Sequence, residues 1–177
     1  MKHPLNIFRV IILSGLLVFS ATAYAEPPIE VAFSPDAGAT ELVVKAISEA
    51  KHSLRVAAYS FTSKPIAEAL IAAHKRGIDV QVVLDKSNNR DKYTAATFLA
   101  NMGIPTRIDS RYAIMHSKYI VIDDDTVETG SFNYTKAAEN HNAENVIVIR
   151  NNHDIAKAYS QNWQGLWDES EQYKARD

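Results

Sequence analysis

Residues 54–84 read LRVAAYSFTSKPIAEALIAAHKRGIDVQVVL. Leu54–Tyr59 is a short apolar run of strand length. Pro65 to Arg76 reads as a helix, with proline at its start and Gly77 just past its end, the usual asymmetry of helix boundaries. Ile78–Leu84 is β-branched again and reads as a second strand. The alternation extends outward on both sides. Upstream, Ile29–Phe33 alternates apolar with polar residues, and Thr40 to Ala50 carries Leu42, Val43, Ala46, Ile47 and Ala50 at helical spacing. Downstream, Asp91 to Met102 reads as a helix closed by Gly103, Ile104–Ile108 and Glu144–Ile149 as strands. Asp154 to Trp167 reads as a last helix with Ile155, Ala158, Tyr159, Trp163 and Leu166 on one face. The expected architecture is α/β: a layered sandwich with a mixed, mainly parallel sheet flanked by helices. An antiparallel part is expected near residues 116–133. No internal repeat or low-complexity linker interrupts it.

Within that frame one stretch carries chemistry. His116, Lys118 and Asp123 are followed by Gly130-Ser131-Phe132-Asn133, spelling H-x-K, four residues, D, six residues, G-S-x-N. Lys118 to Ile122 is a β-branched and aromatic run, so His116 and Lys118, two apart, point to the same side of an extended segment. Asp123-Asp124-Asp125 makes a polar turn, and Thr126 to Thr129 can return antiparallel. Gly130 permits a sharp departure that brings Ser131 and Asn133 beside the histidine and lysine. Imidazole can attack phosphorus or protonate an alkoxide, while the ammonium, hydroxyl and amide can hold phosphate oxygens. Consecutive carboxylates on a tight turn diverge, so Asp123–Asp125 is read as a turn and not as a metal site. One imidazole cannot be base and acid at once, and the motif occurs once.

The spaced pattern resembles the signature of the phospholipase D superfamily, and most of all that of its small, single-motif bacterial nucleases, over the whole chain after the N-terminal segment. That resemblance implies metal-independent phosphodiester hydrolysis with no cofactor. It also implies two motif copies facing each other, one histidine forming a phosphohistidine and the other donating a proton. With one copy per chain, a two-fold homodimer supplies the second His116. Lys118 and Asn133 are assigned to the phosphate, Ser131 to a supporting role, and Gly130 to the framework of the motif. The resemblance further implies a structural ion pair for Asp123. A carboxylate from outside the motif orients the imidazole in that family, and Glu144 matches it.

Residues 1–25 form a candidate signal peptide. Lys2, His3 and Arg9 precede the apolar run Val10–Phe19, and Ala23-Tyr24-Ala25 offers a small-x-small cleavage site. The run is shorter than the ~20 residues of a membrane span, so an exported protein, periplasmic or secreted, with no stable anchor is expected. Residues 26–177 then form one domain of 152 residues without cysteine. Losing Lys2 and Arg9 leaves 17 basic against 21 acidic residues, which excludes a broad basic surface for nucleic acid. Contact with DNA, RNA being left open, therefore needs a local rim. Lys86, Arg90, Lys92, Arg107 and Arg111 lie in loops expected at the carboxyl ends of strands, where such sites open. Tyr93 and Tyr112 could stack on bases, although packing is the commoner use. Competing functions are a lipid-processing phosphodiesterase of the same superfamily and an inactive phosphate-binding module. The intact motif argues against the last.

Overall fold

The computed structural model describes residues 28–89 and 94–174. The candidate signal peptide, Arg90, Lys92 and Tyr93 lie outside the described residues. In chain order the elements are β1 (Ile29–Ser34), α1 (Ala39–Ser48), β2 (Ser53–Ala58), α2 (Lys64–Lys75), β3 (Asp79–Asp85), a 3-10 turn (Lys86–Asn89), α3 (Ala95–Asn101) and β4 (Thr106–Asp109). Then follow β5 (Lys118–Ile122), β6 (Thr126–Gly130), α4 (Lys136–Asn140), β7 (Glu144–Ile149), α5 (His153–Glu169) and β8 (Glu171–Gln172). All strands join one sheet in the order β1-β7-β6-β5-β2-β3-β4-β8.

The α/β sandwich and the mixed sheet are as expected, but the sheet is not mainly parallel. Among the described strands, β2–β3 and β3–β4 pair in parallel and the other five strand pairs are antiparallel. Parallel neighbours need a crossover, usually a helix. The strand–helix alternation ends at β4, and no helix separates β4 from β5, so β5 returns beside β2 in the opposite sense. β2 is apolar throughout its second half because both faces are covered. Val56 and Ala58 face the larger core under α1 and α2, while Ala57 joins Val83, Tyr119, Val121 and Trp163 beneath α5. The Trp163 indole also donates to the Val56 carbonyl, 2.9 Å away, tying α5 to the central strand.

Helix α3 starts later than its pattern suggested, since the Thr94 hydroxyl accepts from Thr97 N at 3.2 Å and caps it there. α4 escaped the sequence reading because five residues carry too little periodicity to register. In the hairpin, Asp123 and Asp124 both adopt positive φ, 52° and 57°. Among the described residues Asp123 forms no ion pair of the expected kind. Its carboxylate accepts from the backbone N–H groups of Lys51, His52 and Ser53 at 2.8, 2.7 and 2.9 Å, clamping the entry to β2 onto the hairpin turn.

Candidate active site

Antiparallel pairing puts the first residue of β5, the last of β6 and the first of β7 along one edge of the sheet, beside the carboxyl end of β2. Lys118, Gly130 and Glu144 occupy those three positions. They share a cavity of about 590 Å³ with His116, Ser131 and Asn133. All five proposed catalytic side chains therefore line one space.

The backbone around His116 is held on both sides. Met115 N–H donates to the Asp85 carboxylate at 2.8 Å, and Tyr59 N–H to the Ser117 carbonyl at 3.0 Å. The imidazole lies against the Tyr59 ring, 4.7 Å between centroids. Lys118 is buried, yet its ammonium sits 3.0 Å from each ring nitrogen of His116 and 2.8 Å from its carbonyl oxygen. Burial holds the Lys118 pKa below the usual ammonium value, outweighing the attraction of Glu144, which raises it. A phosphate entering here meets cation and imidazole together.

Gly130 is required for a reason different from the expected one. A β-carbon there would stand 2.1 Å from the Asn145 carbonyl oxygen, so glycine admits the close approach of β7. Because β7 is that near, Ser131 N donates to Asn145 O, and Asn145 N donates to Ser131 Oγ, each at 3.1 Å. The Asn133 Oδ1 is buried without a partner among the described residues. Glu144 accepts from Asn142 Nδ2 at 3.1 Å. No described bond joins it to His116 of the same chain, so its expected hold on the imidazole is not made within one subunit.

The loop cations divide. Arg107 is withdrawn from the rim: its guanidinium donates to the Trp167 and Ser170 carbonyls at 2.7 and 3.3 Å and covers the Trp167 ring at 4.4 Å. Arg111 pairs with Glu169 at 2.7 Å but keeps most of its side chain exposed, and the Lys86 ammonium donates to the Tyr112 carbonyl at 2.9 Å. Tyr59, Tyr159 and Asn162 adjoin the site without any motif to announce them.

Beneath the site, Glu128 is buried, and Tyr134 Oη donates to its carboxyl at 2.5 Å. Burial pushes the Glu128 pKa up to about 8, against the opposing effect of the Tyr134 bond. The unfolded chain ionises this group near 4.5, the folded chain only near 8. Stability contributed by the neutral acid is thus complete below the first value and falls by about 1.4 kcal/mol per pH unit between them. Relative to the Glu128→Gln variant, the wild type should lose thermal midpoint steadily from pH 5 to 8. Parallel curves for the two proteins would mean that Glu128 ionises normally in the fold.

Comparison with known proteins agrees with the geometry. Residues 43–167 match the family model described as cardiolipin synthase, PLD-like domain. Phospholipase D of Rickettsia conorii is 37% identical over 145 residues, 82% of this chain and 72% of that protein. The mitochondrial cardiolipin hydrolase of Xenopus tropicalis is 34% identical over 68% of this chain and 57% of its own length. The crystal structure of Nuc, a phospholipase D family member from Salmonella typhimurium, superposes with a TM-score of 0.81 at 46% identity, covering 84% of this chain and 99% of Nuc. With the motif gathered in one cavity and the family model spanning most of its length, this chain belongs to the phospholipase D superfamily and is a phosphodiesterase of that kind.

Proposed function

We propose that this phosphodiesterase is a metal-independent endonuclease that hydrolyses DNA without sequence specificity, in a site shared by two identical subunits. The observation that carries the reading is a surface-open cavity holding a single imidazole beside a buried ammonium. Likeness to Nuc over almost all of that protein supports nucleic acid as the substrate. The names of the rickettsial and frog relatives favour a lipid instead, and that is the second reading.

In the proposed reaction, neutral His116 attacks phosphorus and forms an N–P bond. The ester P–O bond breaks, and the departing oxygen takes a proton from the partner subunit's His116. That second imidazole, now neutral, deprotonates a water whose oxygen attacks phosphorus. The N–P bond breaks, giving a phosphomonoester and restoring both imidazoles. Lys118 neutralises charge on the non-bridging oxygens, and Ser131 and Asn133 hold them by hydrogen bonds. Glu144 is proposed to orient an imidazole across the two-fold axis.

A covering surface supports the dimer. Helix α5 packs on β2, β4, β5 and β6. Beyond it, Ile29, Val31 and Phe33 on the outer strand are each more than half exposed, and Ile29 and Val31 stand level with Ile149 and Ile147 of β7. An exposed apolar row of this kind is the sort of surface a protein partner covers. It adjoins the strand ends that carry Gly130 and Glu144, so a second copy seated there would lie beside the cavity.

The test is to assay plasmid DNA and phospholipid vesicles side by side in EDTA. The plasmid should be nicked and degraded while the lipid stays intact. If EDTA abolished cleavage and magnesium restored it, the metal-free mechanism would fall. Hydrolysis of lipid with DNA spared would replace the nuclease reading by the second one.

A further inference from the structure

The catalytic cavity has a smaller neighbour. A space of about 240 Å³ lies on the other side of His116, lined by Tyr112, Ile114, Met115 and Leu166. His116, Ser117 and Asn162 line both spaces and form the boundary between them. The two differ in their lining residues: Ser131, Asn133, Lys118 and Glu144 face the first, while Tyr112, Ile114, Met115 and Leu166 line only the second. A phosphodiester seated on Lys118 and His116 has room to send one of its two organic arms across that boundary.

The segment that forms the outer wall is fixed at several points despite its exposure. Asp109 Oδ1 accepts from Arg111 N at 2.8 Å, Asp85 Oδ2 accepts from Met115 N at 2.8 Å, and Lys86 Nζ donates to the Tyr112 carbonyl at 2.9 Å. Both aspartates are buried at the ends of adjacent strands, in register with each other. Arg111 is tied in addition to Glu169 at the end of α5, at 2.7 Å. Yet the side chains displayed between these anchors remain in solvent: Tyr112 is 46% and Ile114 55% exposed. A braced backbone that presents an aromatic and an aliphatic group beside the reacting histidine is preorganised for a flat apolar partner. Asn162 adds a polar contact at the boundary. Tyr119 Oη donates to its Oδ1 at 2.6 Å, which leaves the amide N–H groups as donors toward the cavities.

We propose that Tyr112 and Ile114, closed below by Met115 and Leu166, form a shelf for the nucleobase attached to one side of the scissile phosphate. The inference rests on the nucleic-acid reading given above and names how that substrate is held. The space is below the range of about 300–1,000 Å³ of whole small-molecule sites, a size suited to one planar base and short for a pair of acyl chains. Stacking tolerates any base, consistent with cleavage that ignores sequence. It also requires a base out of its duplex partner's reach, so the shelf favours single-stranded segments.

The experiment uses the full-length protein and a short single-stranded DNA with one cleavable linkage, the rest being methylphosphonates. Two further substrates replace the base on one side or the other of that linkage by an abasic tetrahydrofuran residue. For the wild type, one of the two abasic substrates should lose about tenfold in kcat/KM, within what one stacked base contributes. Tyr112→Ala should erase that difference between substrates, and Tyr112→Phe, which keeps the ring, should retain it. Because each variant is compared with itself, a general loss of fold or rate cancels. A wild type indifferent to both abasic replacements would overturn the shelf, as would a Tyr112→Ala variant that keeps the difference. If no oligonucleotide were cut while bis(4-nitrophenyl) phosphate or phosphatidylcholine vesicles were hydrolysed, the nucleic-acid reading itself would fail and take the shelf with it.

Discussion

Exchange of His116 for asparagine should abolish turnover and leave the fold unchanged, because the imidazole is exposed and no hydrophobic cluster depends on it. The informative form of the experiment is a mixture. Under the proposed dimer, wild-type and His116→Asn chains, unfolded together and refolded in known proportions, would yield two parent dimers and a hybrid. Each proposed site needs one His116 from each subunit, so the hybrid lacks either nucleophile or acid. Activity at constant total protein should then follow the square of the wild-type fraction, with roughly a quarter remaining in an equal mixture if pairing is random. A monomer with a complete site would give a straight line and about half. An affinity tag on one parent establishes that hybrids formed. A linear response in the presence of hybrids would remove the shared site, even with His116 essential. Glu144 makes its described bond to Asn142 and none to the imidazole of its own chain, an arrangement that suits the contact proposed across a two-fold axis.

How far the sequence disclosed this site depends on whether a residue's partners are near in sequence. The β2–α2–β3 unit is legible from proline, glycine and apolar runs alone, and the hairpin from alternation and its triple-aspartate turn. The gathering of His116, Lys118, Ser131, Asn133 and Glu144 follows from that hairpin and one neighbouring strand. Long-range partners left no local trace. Tyr159 belongs to an apolar helical stripe that explains it without a site, Asn162 beside that stripe reads as an ordinary polar position, and Asn162 meets Tyr119 across 43 positions. Glu128 follows Val127 in a strand, where alternation assigns it to solvent; only the fold brings the Tyr134 hydroxyl over it. The resemblance implies an ion pair for Asp123, but three backbone N–H groups from a distant segment converge on it instead. The antiparallel half of the sheet leaves little local trace for a related reason, since the connection from β4 to β5 contains no helix and its direction depends on which neighbour β5 finds.

Gly130→Ala tests whether the closeness of two strands is what assembles the site. A methyl group there would meet the Asn145 carbonyl oxygen at 2.1 Å, its carbon at 2.9 Å and Val146 Cα at 3.1 Å, all backbone atoms within a central pairing. None can rotate away as a side chain does, so β6 and β7 must separate. Separation weakens the mutual bonds of Ser131 and Asn145 and displaces Ser131, Asn133 and Glu144 relative to His116 and Lys118. Overpacking of this kind should cost about 3 kcal/mol in urea unfolding. In the protein that remains folded, kcat/KM should drop by about a hundredfold, the scale for reacting groups misplaced by roughly 1 Å. Gly165→Ala supplies the contrast. That glycine lies inside α5 with nothing within 4 Å of its added carbon, so alanine should leave the rate alone and stabilise the helix by up to about 1 kcal/mol. Wild-type stability and rate in Gly130→Ala would mean that β7 lies farther from β6 than described, and that the motif's glycine serves the turn after all. Loss of stability with the rate preserved would separate strand spacing from catalysis and leave Ser131 and Asn133 outside the reacting geometry.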